Sequence, residues 1–394
     1  MKTLRQVASV TAMNLRSLPQ RFATSLVIVI GIAGVVAVLV SVLAMSSGMI
    51  RTLQNTGRTD RAVVLRNGSI SEVASALSMD AVRLATDAPG VKRTPEGKPI
   101  VSAETLRMVV AHKKEDAAEV HIVLRGVGPM IAAVRPELKI IEGRMFNPAV
   151  FEIIVGKSAQ KEFAGLDLGS KFVARGVTWT VVGTYSSGGD AHESEVMADA
   201  ETVNSADHRG GYQIVTALLD SPSAFTKFKD SLSSNPALAV DVSTEAAYLQ
   251  ERSKTIGKVI SIIAYVVGGI MAVGAIFGAL NTLYSAVSER VREIATLRAL
   301  GFGATAMVIS VLAEAMLLAL VGGLIGCCVA WLFFDGFVAS TGGGGNGHLV
   351  FELSVTLPLV VLGLVWALVI GLIGGLFPAV RAARLPVATA LRAV

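Results

Sequence analysis

The stretch Ser288–Gly303 reads SERVREIATLRALGFG and carries Glu289, Arg290, Arg292, Glu293 and Arg298. Two long apolar runs flank it. Residues 259–288 hold no charged side chain, and residues 299–334 hold only Glu314. Two further runs, 22–50 and 353–380, are also free of charge. About 20 apolar residues span a bilayer, so each run is long enough to cross one. The pattern predicts transmembrane helices at 22–45, 256–284, 305–333 and 355–377, with 285–304 as a charged segment between the second and third.

Composition agrees. Hydrophobic residues make up 52% of the chain and aromatic residues only 6%, so the apolar mass is aliphatic and small, as in membrane helices. The first run exceeds the roughly 7–15 residues of a cleaved signal core and reads as a retained anchor.

Charge placement predicts the orientation. Lys2, Arg5, Arg16 and Arg21 precede the first run, Arg290, Arg292 and Arg298 lie in the charged segment, and Arg381, Arg384 and Arg392 follow the last run. The loop between the last two runs, 334–354, has no Lys or Arg. Positive residues stay on the cytoplasmic side. Both termini and 285–304 are therefore expected in the cytoplasm, and 46–255 outside. Residues 46–255 carry 24 Lys and Arg against 25 Asp and Glu. The basic excess thus belongs to the membrane flanks, which speaks for membrane lipid and against a nucleic-acid surface. Cys327 and Cys328, the only cysteines, are adjacent inside the third run and read as packing residues rather than a disulfide framework.

Residues 1–21 read as an amphipathic cytoplasmic lead-in, broken at Pro19. The outer segment alternates strand-like and helix-like patches. RAVVLRNG and AEVHIVLRGV read as strands, MDAVRLATDAPGV as a helix stopped by Pro-Gly, and EIIVGKSAQKEFAGLDLGSKFVARGVTWTVVGTY as strand, helix and hairpin. YQIVTALLD, SPSAFTKFKDSLSSN and LAVDVS read as a β-α-β unit. The fold class expected is an α-helical membrane domain of four transmembrane helices plus an α+β outer domain. No proline interrupts 244–284, and Leu249, Ile256, Ile260 and Ile263 recur at helical spacing. A single helix capped by Ser243 is expected to run from the outer domain through the membrane, forming a stalk with an outward extension of the first helix through Met49 and Leu53.

Gly274 and Gly278, Gly322 and Gly326, and Gly371 and Gly375 are pairs four residues apart. Such pairs let helices approach closely. Glu314 lies about 15 Å into the third run if the helix enters near Ala304. An acid there is either a functional group or a hydrogen-bonded packing group, and the sequence shows no proton-relay partner for it.

Enzymatic chemistry is not legible. VGKS at 155–158 ends like a phosphate-binding loop, but the required earlier glycine is Phe151. HE at 192–193 lacks the second histidine of a zinc helix, since residue 196 is Val. Asp190, His192, Glu193 and Glu195 read as a solvated loop rather than a metal centre, so no catalytic residue and no metal ligand is expected. STGGGGNGH at 340–348 reads as a flexible loop.

SAVSERVREIATLRALGFGATAMVISVLAEAMLLALVGGLIG, 285–326, resembles the signature of the FtsX-like permease family. Its members include the membrane subunits of MacB-type efflux pumps and lipoprotein-releasing systems. FPAVRAARLPVATALR, 377–392, is similar to the family's cytoplasmic ending. EGRMF, IIVGKSAQKEF and WTVVGTY resemble its periplasmic domain more loosely, and Ala295 stands where the family often has Gly. The resemblance implies an inner-membrane ABC transporter permease with a large periplasmic domain, a mixed α/β part with an inserted β-rich part. It also implies a dimer of permease copies or paralogues, driven by ABC ATPase subunits. ATP and Mg would then sit on the partner ATPase, since this sequence shows no Walker motif, and no cofactor is expected on this chain.

In that scheme 285–304 holds a coupling helix seated on the ATPase. Its coupling residues would be Glu289, Arg290, Val291, Arg292, Glu293, Ile294, Leu297, Arg298, Leu300 and Gly301. Val291, Ile294, Leu297 and Leu300 step by three and would form an apolar contact face, with charges giving orientation. Gly301 and Gly303 would permit the turn into the third helix. ATP hydrolysis would move the periplasmic domain through the stalk, a mechanotransmission mechanism, with a periplasmic adaptor left open. Two other functions stay open: a regulator of a periplasmic partner such as a cell-wall hydrolase, and an anchored sensor without an ATPase.

Overall fold

The computed structural model describes residues 11, 13, 22–69, 71–207, 211–235, 238–289, 291–300, 302–342 and 348–384. The lead-in apart from Thr11 and Met13, the end of the chain with Arg392, and Arg290 and Gly301 lie outside them. The chain divides into a helical unit (1–47, 257–337 and 353–394) and a sheet unit (48–256 and 338–352).

Four helices are long and apolar enough to cross a membrane. They are α1 (Phe22–Thr56), α7 (Glu245–Glu289), α9 (Ala304–Phe334) and α10 (Leu357–Arg384). Helix α8 (Val291–Ala299) lies between α7 and α9. Helix α10 continues past residue 377 and includes Pro378, which is buried. Within the helical unit, α1, α9 and α10 bury Ile32, Val36, Ala315, Ala319, Ala367 and Ile370 against one another.

The sheet unit holds one sheet of ten strands among the described residues. They are β1 (Arg61–Arg66), β2 (Val101–His112), β3 (Glu119–Val127), β4 (Lys139–Gly143), β5 (Glu152–Gly156), β6 (Lys171–Ala174), β7 (Val177–Ser186), β8 (Val196–Asp199), β9 (Ile214–Leu218) and β10 (Val240–Thr244). Their order is β10-β1-β9-β2-β3-β8-β5-β7-β4, with β6 also on β7. The short helices are α2 (Met79–Thr86), α3 (Ile131–Val134), α4 (Lys157–Glu162), α5 (Ala200–Ala206) and α6 (Ala224–Ser233).

Local chemistry explains several elements. Ser78 caps α2 by accepting from the N–H of Ala81 at 3.2 Å, and α2 ends before Pro89. Strands β6 and β7 join through Arg175 and Gly176, whose φ values are 55° and 77°. Two left-handed residues make the tight turn that matches strand twist. In the β9-α6-β10 unit, β1 sits between the two strands and pairs antiparallel with each.

Several apolar clusters fill the unit among the described residues, two of them larger than the rest. Val64, Val215, Ala217 and Val242 bury one face of the sheet under Ala81, Ala85, Phe228 and Leu232 of α2 and α6. Ile122, Leu124, Ile153, Val155, Phe163, Phe172 and Trp179 form the second, β-rich core.

The structure corrects two expectations. Ser243 belongs to β10, and the α7 cap comes from Thr244, whose hydroxyl accepts from the N–H of Ala247 at 3.2 Å. The 334–354 connector contains a hairpin, β11 (Val338–Gly342) paired with β12 (His348–Glu352). The glycines at 343–345 lie outside the described residues. Val350 enters the β-rich core, and its backbone N–H and C=O both bond the Ser194 hydroxyl, at 2.9 and 3.3 Å.

Candidate functional site

The charged segment becomes two helical pieces. Glu289 ends α7, and α8 follows from Val291. Helix α8 closes through the N–H of Leu300 to Thr296 O at 3.0 Å and the N–H of Phe302 to Leu297 O at 3.1 Å. Gly303 then starts α9 with φ −66° and ψ 150°, extended backbone that any residue adopts. The turn therefore needs no glycine at 303, unlike the expectation from sequence.

The apolar face expected on the segment is divided. Ile294 and Ala295 are buried, and Ile294 and Leu297 pack against Met307, Val311, Ala379 and Ala382 of α9 and α10. Leu300, in contrast, is 72% exposed. Glu289, Arg292, Glu293 and Thr296 are exposed, and Val291 and Arg298 are half-buried. One face of α8 thus seals its own helical unit, and the other presents mixed charge around one open leucine. Mixed charge with an apolar anchor suits a protein partner, because charge sets register while the anchor supplies burial. At the same end of the unit, the Arg381 guanidinium lies 5.3 Å from the centre of the Tyr284 ring, a cation–π contact between α10 and α7.

The glycine pairs separate into two kinds. A Cβ on Gly322 or Gly326 would lie 2.9 or 2.6 Å from the carbonyl oxygens of Val29 and Ala33 on α1. A Cβ on Gly371 or Gly375 would lie 2.4 or 2.6 Å from the Cβ atoms of Ala319 and Ala315 on α9. Those four residues let backbones meet where any side chain would separate them. Gly274 and Gly278 have nothing within 4 Å of the same position, so this pair serves no contact within the described chain.

Glu314 is buried on α9, one turn after buried Ser310 and among Met307, Val311, Ala315 and Leu318. It faces the interior of the helical unit, where an intramembrane acid is least costly.

In the sheet unit the motif-like residues have structural work. Gly156 of VGKS packs where a Cβ would lie 2.2 Å from the Glu193 carbonyl oxygen. The Ser158 hydroxyl donates to the Glu193 carboxylate at 3.3 Å. That carboxylate also accepts from the Ser186 hydroxyl at 2.6 Å and from the N–H groups of Ser187 and Gly189 at 2.8 and 2.9 Å. Burial pushes the Glu193 carboxyl up, but these bonds outweigh it and hold the group below the usual carboxylate range. Asp190 caps the turn Ala191–Ser194. Asp190, His192, Glu193 and Glu195, read from sequence as a solvated loop, are instead drawn inward: the first three are buried, and the Glu195 side chain is 12% exposed. No group of three or more metal-ligating side chains occurs among the described residues.

Sequence reasoning missed the centre of this unit. Arg125 on β3 is 2% exposed and faces three carboxylates: Glu104 at 2.7 Å, Glu195 at 2.5 Å and Glu72 at 2.9 Å. Burial is the largest single influence on Glu72 and Glu195 and pushes both up, but Arg125, joined by Arg252 at Glu72 and by His192 at Glu195, holds both below the ordinary range. The available signal was Glu104 and Arg125 interrupting apolar strands.

The chain matches two family models: the FtsX-like permease C-terminal model over residues 265–387, and the MacB-like periplasmic core domain model over residues 22–235. The uncharacterized ABC transporter permease YknZ of Bacillus subtilis is 29% identical over 161 residues, covering 38% of this chain and 37% of YknZ. The macrolide export ATP-binding/permease protein MacB of a Shewanella species is 33% identical over 132 residues, covering 34% of this chain and 18% of MacB. The matched stretch thus spans less than two fifths of either relative. The crystal structure of the periplasmic region of MacB from Actinobacillus actinomycetemcomitans is 15% identical with a TM-score of 0.38, covering 50% of this chain and 93% of that one.

Proposed function

As this chain belongs to the family of FtsX-like ABC transporter permeases with a MacB-like periplasmic core, we propose that it is a permease subunit of the mechanotransmission type. A separate ABC ATPase binds ATP and Mg and docks on the exposed face of α8. Two permease copies or paralogues form the working unit in the bacterial inner membrane, with both termini in the cytoplasm. Hydrolysis displaces the periplasmic domain, which extrudes or releases a substrate outside the membrane.

The observation that carries this reading is α7. One helix of 45 residues begins at the sheet unit with Glu245 and ends beside α8 at Glu289. At 1.5 Å per residue it is about 67 Å long, well beyond a bilayer core of about 30 Å. A continuous rod transmits displacement, whereas a substrate pathway calls for several ionisable groups at mid-membrane. Among the described residues of the four apolar spans, the stretches 22–50, 259–288, 304–334 and 357–380 offer only Glu314. The test is capture of tagged full-length chain from native membranes. An ABC ATPase should copurify, Arg292→Glu should weaken that association at least tenfold, and ATP should drive substrate release in vesicles. Capture without an ATPase, or full function in Arg292→Glu, overturns the reading.

A further inference from the structure

Glu245, the first residue of α7, is 2% exposed and touches two arginines at once. Its carboxylate lies 2.7 Å from Arg61 Nε and 2.8 Å from Arg135 Nη1, and it accepts from the N–H of Arg58 at 3.2 Å. Arg61 opens β1, pairs with Glu137, and donates to Val134 O at 3.2 Å. The Thr56 hydroxyl, at the end of α1, accepts from the N–H of Ala191 at 3.0 Å. The N–H of Ala246 donates to Arg58 O at 3.1 Å, and a Cβ on Gly57 would lie 2.7 Å from the Ala246 Cα. The residues after α1 and the start of α7 are thus in backbone contact, with Glu245 tying both to β1.

The next two turns of α7 repeat the arrangement. Tyr248 and Arg252 follow Glu245 by three and seven residues, so all three share one helix face. Arg252 bonds the Tyr248 hydroxyl at 3.2 Å and lies 3.7 Å from the Glu72 carboxylate, which is itself bonded to Arg125. Buried ion pairs are a costly way to gain stability, since apolar residues of similar volume do as well or better. What they add is orientation. A leucine at 245 would tolerate rotation of α7, whereas a carboxylate held between two arginines would not.

We propose that Glu245 is a positioning residue that locks the rotational phase of the first turns of α7 to the end of α1 and to β1. Arg252, through Glu72 and Arg125, is the second point of the lock. This rests on the mechanotransmission reading, and the experiment separates the two. Full-length wild type, Glu245→Gln and Arg252→Gln are placed in nanodiscs with the copurified ATPase. Hydrogen exchange is followed with and without ATP.

Without ATP, Glu245→Gln should speed exchange at least tenfold in residues 57–64 and 245–252 while leaving β5 and β7 unchanged. With ATP it should keep hydrolysis within about twofold of wild type but lose the ATP-dependent change in the sheet unit. Unchanged exchange at 57–64 and 245–252, or a full ATP-dependent change in the variant, overturns the lock. A wild type whose sheet unit ignores ATP overturns mechanotransmission instead, and the ATP-free arm still decides whether the lock exists. Arg252→Gln, at a less buried site, gives the same two readouts with smaller changes if Glu245→Gln does not fold.

Discussion

The guanidinium of Arg125 and the carboxylate of Glu104 meet at 2.7 Å with neither side chain reaching water. Two more carboxylates, Glu72 and Glu195, close around the same cation. Removing the cation leaves three crowded carboxylates, with Arg252 at 3.7 Å from Glu72 and His192 at 3.2 Å from Glu195 left to answer two of them. Breaking even a single buried pair costs about 3–5 kcal/mol. Arg125→Met should therefore lower the melting temperature of the sheet unit by several degrees, read by scanning fluorimetry of the full chain in detergent. A variant melting with wild type would show that the carboxylates reach water or other partners.

The same centre sets an acid limit. Burial pushes Glu72 and Glu195 up most strongly of any single influence, yet their cationic and hydrogen-bonding partners, Arg125 foremost among them, together hold both below the ordinary range in the folded state. Arg252 adds to this at Glu72, and His192 at Glu195. A depressed folded pKa contributes stability that is present above the unfolded value, about 4.3 for Glu, and is lost as pH falls toward the folded value. Stability should stay level from pH 8 to about pH 5 with respect to these groups and fall below it. In Arg125→Met the carboxyls should instead prefer their protonated form, so the gap between variant and wild type should narrow on acidification. Denaturation at pH 7, 5 and 4 measures both trends.

This centre also shows what the sequence conceals. The four apolar helices are legible because lipid demands long uncharged runs, and strands such as RAVVLR because their apolar residues are contiguous. Strand β2, VSAETLRMVVAH, is not, because Glu104 and Arg107 break its pattern. They are tolerated inside only because Arg125 and Asp207 answer them across the fold. The hairpin after α9 is hidden for a similar reason. A glycine run reads as a linker, and Val350 gains its core position from Ser194, 156 residues away. On α8 the apolar spacing is readable, but which partner Ile294 faces is a tertiary fact.

That division on α8 can be tested directly. Ile294→Ala removes buried methyl groups from the contact with Met307 and Ala379, so it should destabilise the helical unit by about 2–4 kcal/mol. Leu300→Asp alters a side chain that is 72% exposed and should leave melting unchanged while weakening ATPase capture severalfold. If Leu300→Asp captures ATPase as wild type does, the exposed face is not the docking face.

The glycine pairs allow a matched comparison. Gly326→Val must separate α9 from α1, because its Cβ would lie 2.6 Å from the Ala33 carbonyl oxygen. Overpacking of this kind costs about 1–3 kcal/mol. Gly274→Val adds a side chain where nothing lies within 4 Å, so folding of the single chain should be untouched. Melting in detergent and the yield of folded protein distinguish the two. Equal damage from both substitutions would place a further partner against α7.

The hairpin yields the last test. Ser194 is 1% exposed and bonds both backbone groups of Val350. Ser194→Ala removes the hydroxyl without adding bulk and leaves that N–H and C=O buried without their partner, at a cost of about 1–3 kcal/mol. The effect should be local. Exchange at Val350–Glu352 should rise about tenfold, with β1 and β9, which pack in the other core, unchanged. Ser194→Thr restores the hydroxyl and should recover most of the protection. Loss of protection across the whole sheet would mean instead that the hairpin is part of the cooperative folding unit, and its docking would then be inseparable from the fold.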